Sequence, residues 1–178
     1  MFAPMAYPHA SNLIFPLDNY RVNSYRFGQK CTYHKVFWGV HLGEDINRPS
    51  GTRVKSIGRG RVVYSALHPG TKEKGNWGNI VIIGHKHPKT KKVFYSLYAH
   101  LNRRNVRNGQ KVEMGKVIGV VGKKNTSANG WWPDEHLHFA IYIGPWKRKV
   151  LPGYWREDQK LTELSYWEEP TEFVKKYQ

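Results

Sequence analysis

From Phe15 onward the apolar residues come in short β-rich runs, broken at short intervals by Gly, Asn and Pro. This punctuation fits strands of an all-β domain rather than helices, which need longer stretches with apolar positions three and four apart. Strands are predicted over residues 59–65, 79–83, 92–98, 117–121 and 136–143. Asn108-Gly109 and Gly75-Asn76-Trp77-Gly78-Asn79 read as turns, because Gly and Asn tolerate positive φ. Little before residue 155 has helical spacing. Near the end, Pro170 can open a short helix with Phe173, Val174 and Tyr177 on one side. The fold expected is therefore mainly β, a compact antiparallel domain with a short C-terminal helix. Residues 1–14 read as an irregular N-terminal arm, 15–150 as the body, and 151–178 as an extension packing on the same domain. No tandem repeat or low-complexity segment is present.

With 178 residues and 39% hydrophobic content, the chain can bury the core of one soluble domain. No apolar run approaches the ~18 residues of a membrane-spanning helix. Met1 to Tyr20 has no Lys or Arg and no long apolar centre, so it does not read as a secretory signal peptide. The single cysteine, Cys31, excludes an internal disulfide and reads as a small buried side chain. Formal charge is +16 and uneven: residues 151–178 hold four basic against six acidic residues, which leaves +18 on residues 1–150. Basic clusters lie at 86–92, 103–107, 123–124 and 147–149. Such a field attracts polyanions, whether nucleic acid, anionic lipid or an anionic cell wall.

Two distant patches carry the candidate chemistry: His41-Leu42-Gly43-Glu44-Asp45 and His136-Leu137-His138. Catalytic zinc takes three ligands from His, Asp or Glu and keeps a fourth position open. Two imidazoles and a carboxylate supply that set. Alternate strand residues point the same way, so His136 and His138 share a face. One of them can hold a metal while the other reaches water or substrate.

The blocks around these patches occur in a telling order: 39–47, Pro49-Ser50-Gly51-Thr52-Arg53-Val54, Gly60-Arg61-Val62-Val63, Gly78-Asn79-Ile80-Val81-Ile82, Tyr98-Ala99-His100-Leu101, Gly109-Gln110-Lys111-Val112, Gly115-Lys116-Val117-Ile118-Gly119 and His136-Leu137-His138-Phe139. In order and content they resemble the lysostaphin-type, or LytM-domain, zinc metallopeptidases over residues 15–143. The resemblance implies a sheet crossed by a substrate groove and one zinc ion held by His41, Asp45 and His138. It also implies catalytic roles for His100 and His136, and peptidoglycan peptide as substrate. The expected partner is the cell wall, with the basic surface contacting its anionic polymers, and the chain is expected to be a monomer. If the substrate is peptidoglycan, the location is the cell envelope or outside the cell.

Two departures from the family pattern stand out. The stretch 122–135 is longer than usual before His136 and carries Trp131-Trp132, with Asp134-Glu135 in place of small residues and Pro. These tryptophans read either as a groove wall or as a loop mini-core. Ala140 stands where the family often has Glu or Gln, which leaves a support for the ligands unaccounted for. Glu44, next to Asp45, is expected to point elsewhere. His85 and His87 read as a solvated turn beside Lys86 rather than a second metal pair. His9, His34 and His68 have no partner at telling spacing. The leading function is zinc endopeptidase. A non-catalytic wall-binding or regulatory module is the first alternative, opposed by the intact set of five. A basic nucleic-acid binder is the second, which accounts for the charge but not for the spacing.

Overall fold

The computed structural model describes residues 6–33, 35–156 and 163–178. His34 lies outside the described residues. In chain order the strands are β1 (Lys30–Tyr33), β2 (Val36–His41), β3 (Glu44–Asn47), β4 (Arg53–Lys55), β5 (Gly60–His68), β6 (Gly78–Lys86), β7 (Val93–Arg104), β8 (Lys111–Val112), β9 (Val117–Val121), β10 (His136–Tyr142), β11 (Tyr154–Trp155) and β12 (Trp167–Glu168). The one α-helix among the described residues, α1 (Pro170–Lys176), starts at the predicted proline. All five predicted strands are present, and three run further than their sequence pattern suggested.

A nine-stranded antiparallel sheet runs β12-β10-β7-β6-β5-β8, with β3 beside β10 and the pair β4-β9 beside β7. A second sheet of three strands is ordered β1-β2-β11. Strand alternation divides the large sheet's side chains between two cores. Leu137, Phe139 and Ile141 of β10 enter one core with Val81, Ile83 and Tyr98. Ala140 and Tyr142 enter the other with Ile80, Ile82 and Leu97. β6 and β10 are covered on both faces, which explains their nearly unbroken apolar runs.

Chain ends close both cores. Ala10 and Leu13 are buried in the first core, as are Phe173 and Val174 of α1. The backbone N–H of Leu13 donates to the Tyr177 carbonyl at 2.8 Å, joining the two ends. Tyr154 and Trp155 pair with β2, and Trp167 and Glu168 with β10. Among the described residues, no helix is long and apolar enough to cross a membrane.

His85 and His87 correct the sequence expectation of a solvated turn. Both are buried, and His85 is fully enclosed. The His85 Nδ1–H donates to the Arg59 carbonyl at 2.9 Å, and Nε2 lies 2.8 Å from the Ser96 hydroxyl. His87 packs edge-on against Phe173 and Tyr177. They are core histidines. Cys31 is buried as expected, and burial pushes its thiol up to about 11.

Candidate metal centre

Asp45 and His138 are directly opposed across the β3–β10 ladder. Opposed residues of an antiparallel pair project to the same face, and the Asp45 Oδ1 to His138 Nδ1 distance is 2.9 Å. His41 ends β2, and Leu42-Gly43 returns the chain into β3. That short return brings His41 Nε2 to 3.4 Å from Asp45 Oδ1 and 3.1 Å from His138 Nδ1. All three side chains are buried. Glu44, one position off, faces the other way and accepts from the Tyr20 hydroxyl (2.5 Å) and the Thr171 hydroxyl (2.7 Å).

The donor set fits zinc. Ligand atoms at ~2.0–2.2 Å from a tetrahedral zinc stand roughly 3.3–3.5 Å apart, close to the separations here. A carbonyl oxygen can only accept, so His41 Nδ1, 3.2 Å from the Arg26 carbonyl, carries the proton and leaves Nε2 a bare lone pair. Burial works against the charge on Asp45, but the hydrogen bond with His138 and the neighbouring His41 ring outweigh it and hold the carboxyl well below its usual range. His138 Nε2 is buried without a hydrogen-bond partner among the described residues. Such orphaned nitrogens are rare and call for a reason; a ring oriented by its other nitrogen supplies one. Gly43 makes room for that edge, since a methyl group there would lie 2.7 Å from His138 Nε2.

His100 and His136 lie beside this cluster, their rings 4.5 Å apart. His136 keeps the face it shares with His138. His100 reaches it by a break in register: Asn79 pairs with Leu101 but Val81 with Tyr98, three steps on β7 for two on β6. This β-bulge inserts one residue. Ala99 faces the second core and Leu101 the first, with His100 between them. His100 has φ 61°, the left-handed region that non-glycine residues seldom adopt. The Nδ1–H of His100 donates to the Asn129 carbonyl at 3.0 Å, and that of His136 to the Asp134 carbonyl at 3.2 Å. Burial, followed by the neighbouring His136 and His138, depresses the His100 pKa well below the ordinary value.

All five residues singled out in the sequence therefore meet in one place. The supports found around them are backbone carbonyls, and Ala140 is fully buried in the second core. The tryptophan pair divides. Trp132 stands edge-on to His100 and His136, with its indole N–H donating to the Asn76 carbonyl at 2.8 Å. Trp131 instead lies under Lys72. Sequence reading missed Trp77, taken only as a turn residue, whose ring packs on both His100 and His138. It also missed Tyr154, whose ring is 5.5 Å from that of His41. The only signal for either was an aromatic flanked by turn residues.

Residues 39–150 match Peptidase family M23. The peptidoglycan DD-endopeptidase ShyB of Vibrio cholerae is 32% identical over 132 residues, 72% of this chain but 27% of that protein. The chain thus spans only about a quarter of this curated relative's length. Among solved structures, a zinc-containing peptidase from Vibrio cholerae is 29% identical with a TM-score of 0.57, covering 74% of this chain and 37% of that one. The catalytic domain of lysostaphin from Staphylococcus simulans shares the fold with a TM-score of 0.56 at 24% identity, covering 85% of this chain and 90% of that one. With a mainly β fold like that of lysostaphin and a family match over most of its length, this chain belongs to peptidase family M23.

Proposed function

We propose that this chain is a zinc-dependent endopeptidase that hydrolyses peptide bonds of bacterial peptidoglycan, in the cross-link or the stem. The observation that carries this reading is the convergence of His41 Nε2, Asp45 Oδ1 and His138 Nδ1 within 3.4 Å of one another. In this proposal His41, Asp45 and His138 hold the metal, and His100 and His136 serve the reaction. When bound, zinc supplies Lewis acidity, which activates water and polarises the amide carbonyl.

The chain's own residues do the rest. Asp45 stays ionised and contributes negative charge to the ligand set. His100 and His136, each with Nδ1–H tied to a carbonyl, leave Nε2 free to take a proton from the attacking water and return it to the leaving amine. Once protonated, either ring can also stabilise the charge on the tetrahedral intermediate. The low pKa of His100 keeps it neutral, as a base must be before attack. Trp132 borders both rings and Trp77 that of His100, and the two indoles limit water around them.

The substrate class draws support from the family and from ShyB, named a peptidoglycan DD-endopeptidase. Action on peptidoglycan places the chain in the cell envelope or outside the cell. The +16 charge suits an approach to anionic wall polymers. Incubating zinc-loaded protein with purified peptidoglycan and identifying soluble fragments by mass spectrometry tests the reading. Fragments with newly cut peptides are expected. Binding to the wall without cleavage would favour a non-catalytic module, and affinity for nucleic acid that falls steeply with salt, without cleavage, would favour the basic binder.

A further inference from the structure

The loop at residues 122–135 carries the two carbonyls on which His100 and His136 lean, and one side chain organises it. Asn129 is 0% exposed, although Lys123, Lys124, Asn125 and Ser127 of the same loop are exposed. A fully buried amide is stable only when its polar atoms are paired. The Asn129 Nδ2 donates to the Trp132 carbonyl at 3.1 Å and to the Asp134 carbonyl at 3.3 Å. Its Oδ1 accepts from the Thr126 backbone N–H at 3.4 Å. Its own carbonyl takes the His100 Nδ1–H, and the Asp134 carbonyl that it grips takes the His136 Nδ1–H. His41, by contrast, is anchored on Arg26, in a different part of the chain.

We propose that Asn129 is a positioning residue for both histidines, holding His100 through its own carbonyl and His136 through that of Asp134. The proposal rests on the catalytic role given above to the pair. Because each Nδ1 faces an oxygen that can only accept, both rings are fixed with the proton on Nδ1 and a free lone pair on Nε2. Loss of the Asn129 amide nitrogen would let the Asp134 carbonyl drift and would loosen both rings together, without touching His41, Asp45 or His138.

The test uses the full zinc-loaded chain with Asn129→Asp, which keeps the shape but turns an oxygen toward two carbonyls, and Asn129→Ser, which shortens the side chain. Misplacing a reacting group by about an ångström costs on the order of 100-fold. The expected result is a fall in kcat of about 10- to 100-fold with KM changed less than about twofold, and zinc content retained. In parallel, 15N NMR of the imidazoles should show the Nδ1–H tautomer for His100 and His136 in the parent and its loss in the variants. If Asn129→Asp does not fold, Asn129→Ser carries the same readings. His100→Ala serves as the reference. A slow His100→Ala beside Asn129 variants with parental kcat and an unchanged 15N signature overturns the positioning role. A His100→Ala protein with parental rate instead overturns the catalytic role of His100, and the 15N signature of the Asn129 variants then decides by itself whether Asn129 holds the rings.

Discussion

The proposed zinc ligands and the proposed catalytic pair touch one another, yet they are built by different means. Asp45 and His138 come from the paired strands β3 and β10, whose cross-strand opposition alone sets them together, and the Leu42-Gly43 return brings His41 to them from β2. His100 needs an inserted residue in β7 and a left-handed backbone to reach the same face. Both His100 and His136 then depend on carbonyls of the 122–135 loop for their orientation. A regular ladder and a tight return suffice where donor atoms need only converge. His100, by contrast, is aimed by a local departure from the ladder, and a left-handed non-glycine residue costs of order 1–3 kcal/mol. The second region should therefore be the one that can be damaged without loss of metal.

The largest expected effect breaks the first region. Asp45→Ala removes the carboxylate that both imidazoles hold, so zinc content by atomic absorption and hydrolysis of peptidoglycan should both fall to background. Full zinc stoichiometry in that variant would remove Asp45 from the ligand set. Next comes His100→Ala. Its hydrolysis rate should drop on the order of 10² to 10⁴ for the loss of a positioned acid–base group, with zinc retained.

A third expectation uses His85 as a control, a buried histidine with both ring nitrogens engaged and no part in the site. Burial lowers its pKa to about 4, against the Arg59 carbonyl, which acts to raise it. Between pH ~6.5 and about 4 the unfolded chain takes up this proton and the folded chain does not, so stability is full above the ordinary histidine pKa and falls with acid. The loss is on the order of 3 kcal/mol across that window. Urea midpoints measured from pH 7 to 4 should show it, with a shallower slope in His85→Gln. Equal slopes in parent and variant would mean that His85 is not the group responsible. The smallest effect concerns the groove. Trp132→Ala should raise KM by roughly 5- to 10-fold, from the ~1 kcal/mol an aromatic contact is worth. Unfolding with no separate change in KM would make Trp132 a packing residue only.

The two regions also differ in how far the sequence reveals them. Period-two spacing is enough to pair His136 with His138 on one face, and to turn Glu44 away from Asp45. The bulge at His100 leaves no trace in composition, because an extra residue in a strand looks like any other until its partner strand is known. That is why the strand ending at residue 98 in the sequence reading runs on to Arg104. His85 and His87 sit beside Lys86 and look solvated locally. Their burial comes from distant segments, with the His87 ring packed on α1 and His9 and Ala10 bonded to the end of β6. Trp77 lies within a predicted turn, and only the fold shows its ring against two histidines.

The division of labour is tested most directly on β10, where His136 and His138 share a face two residues apart. Zinc stoichiometry measured on purified His136→Ala and His138→Ala, both shown folded by circular dichroism, compares the two roles within one strand. About one zinc per chain is expected in His136→Ala, with hydrolysis strongly reduced, and a strong loss of zinc in His138→Ala. Loss of zinc from His136→Ala with retention in His138→Ala would contradict the account and exchange the two histidines.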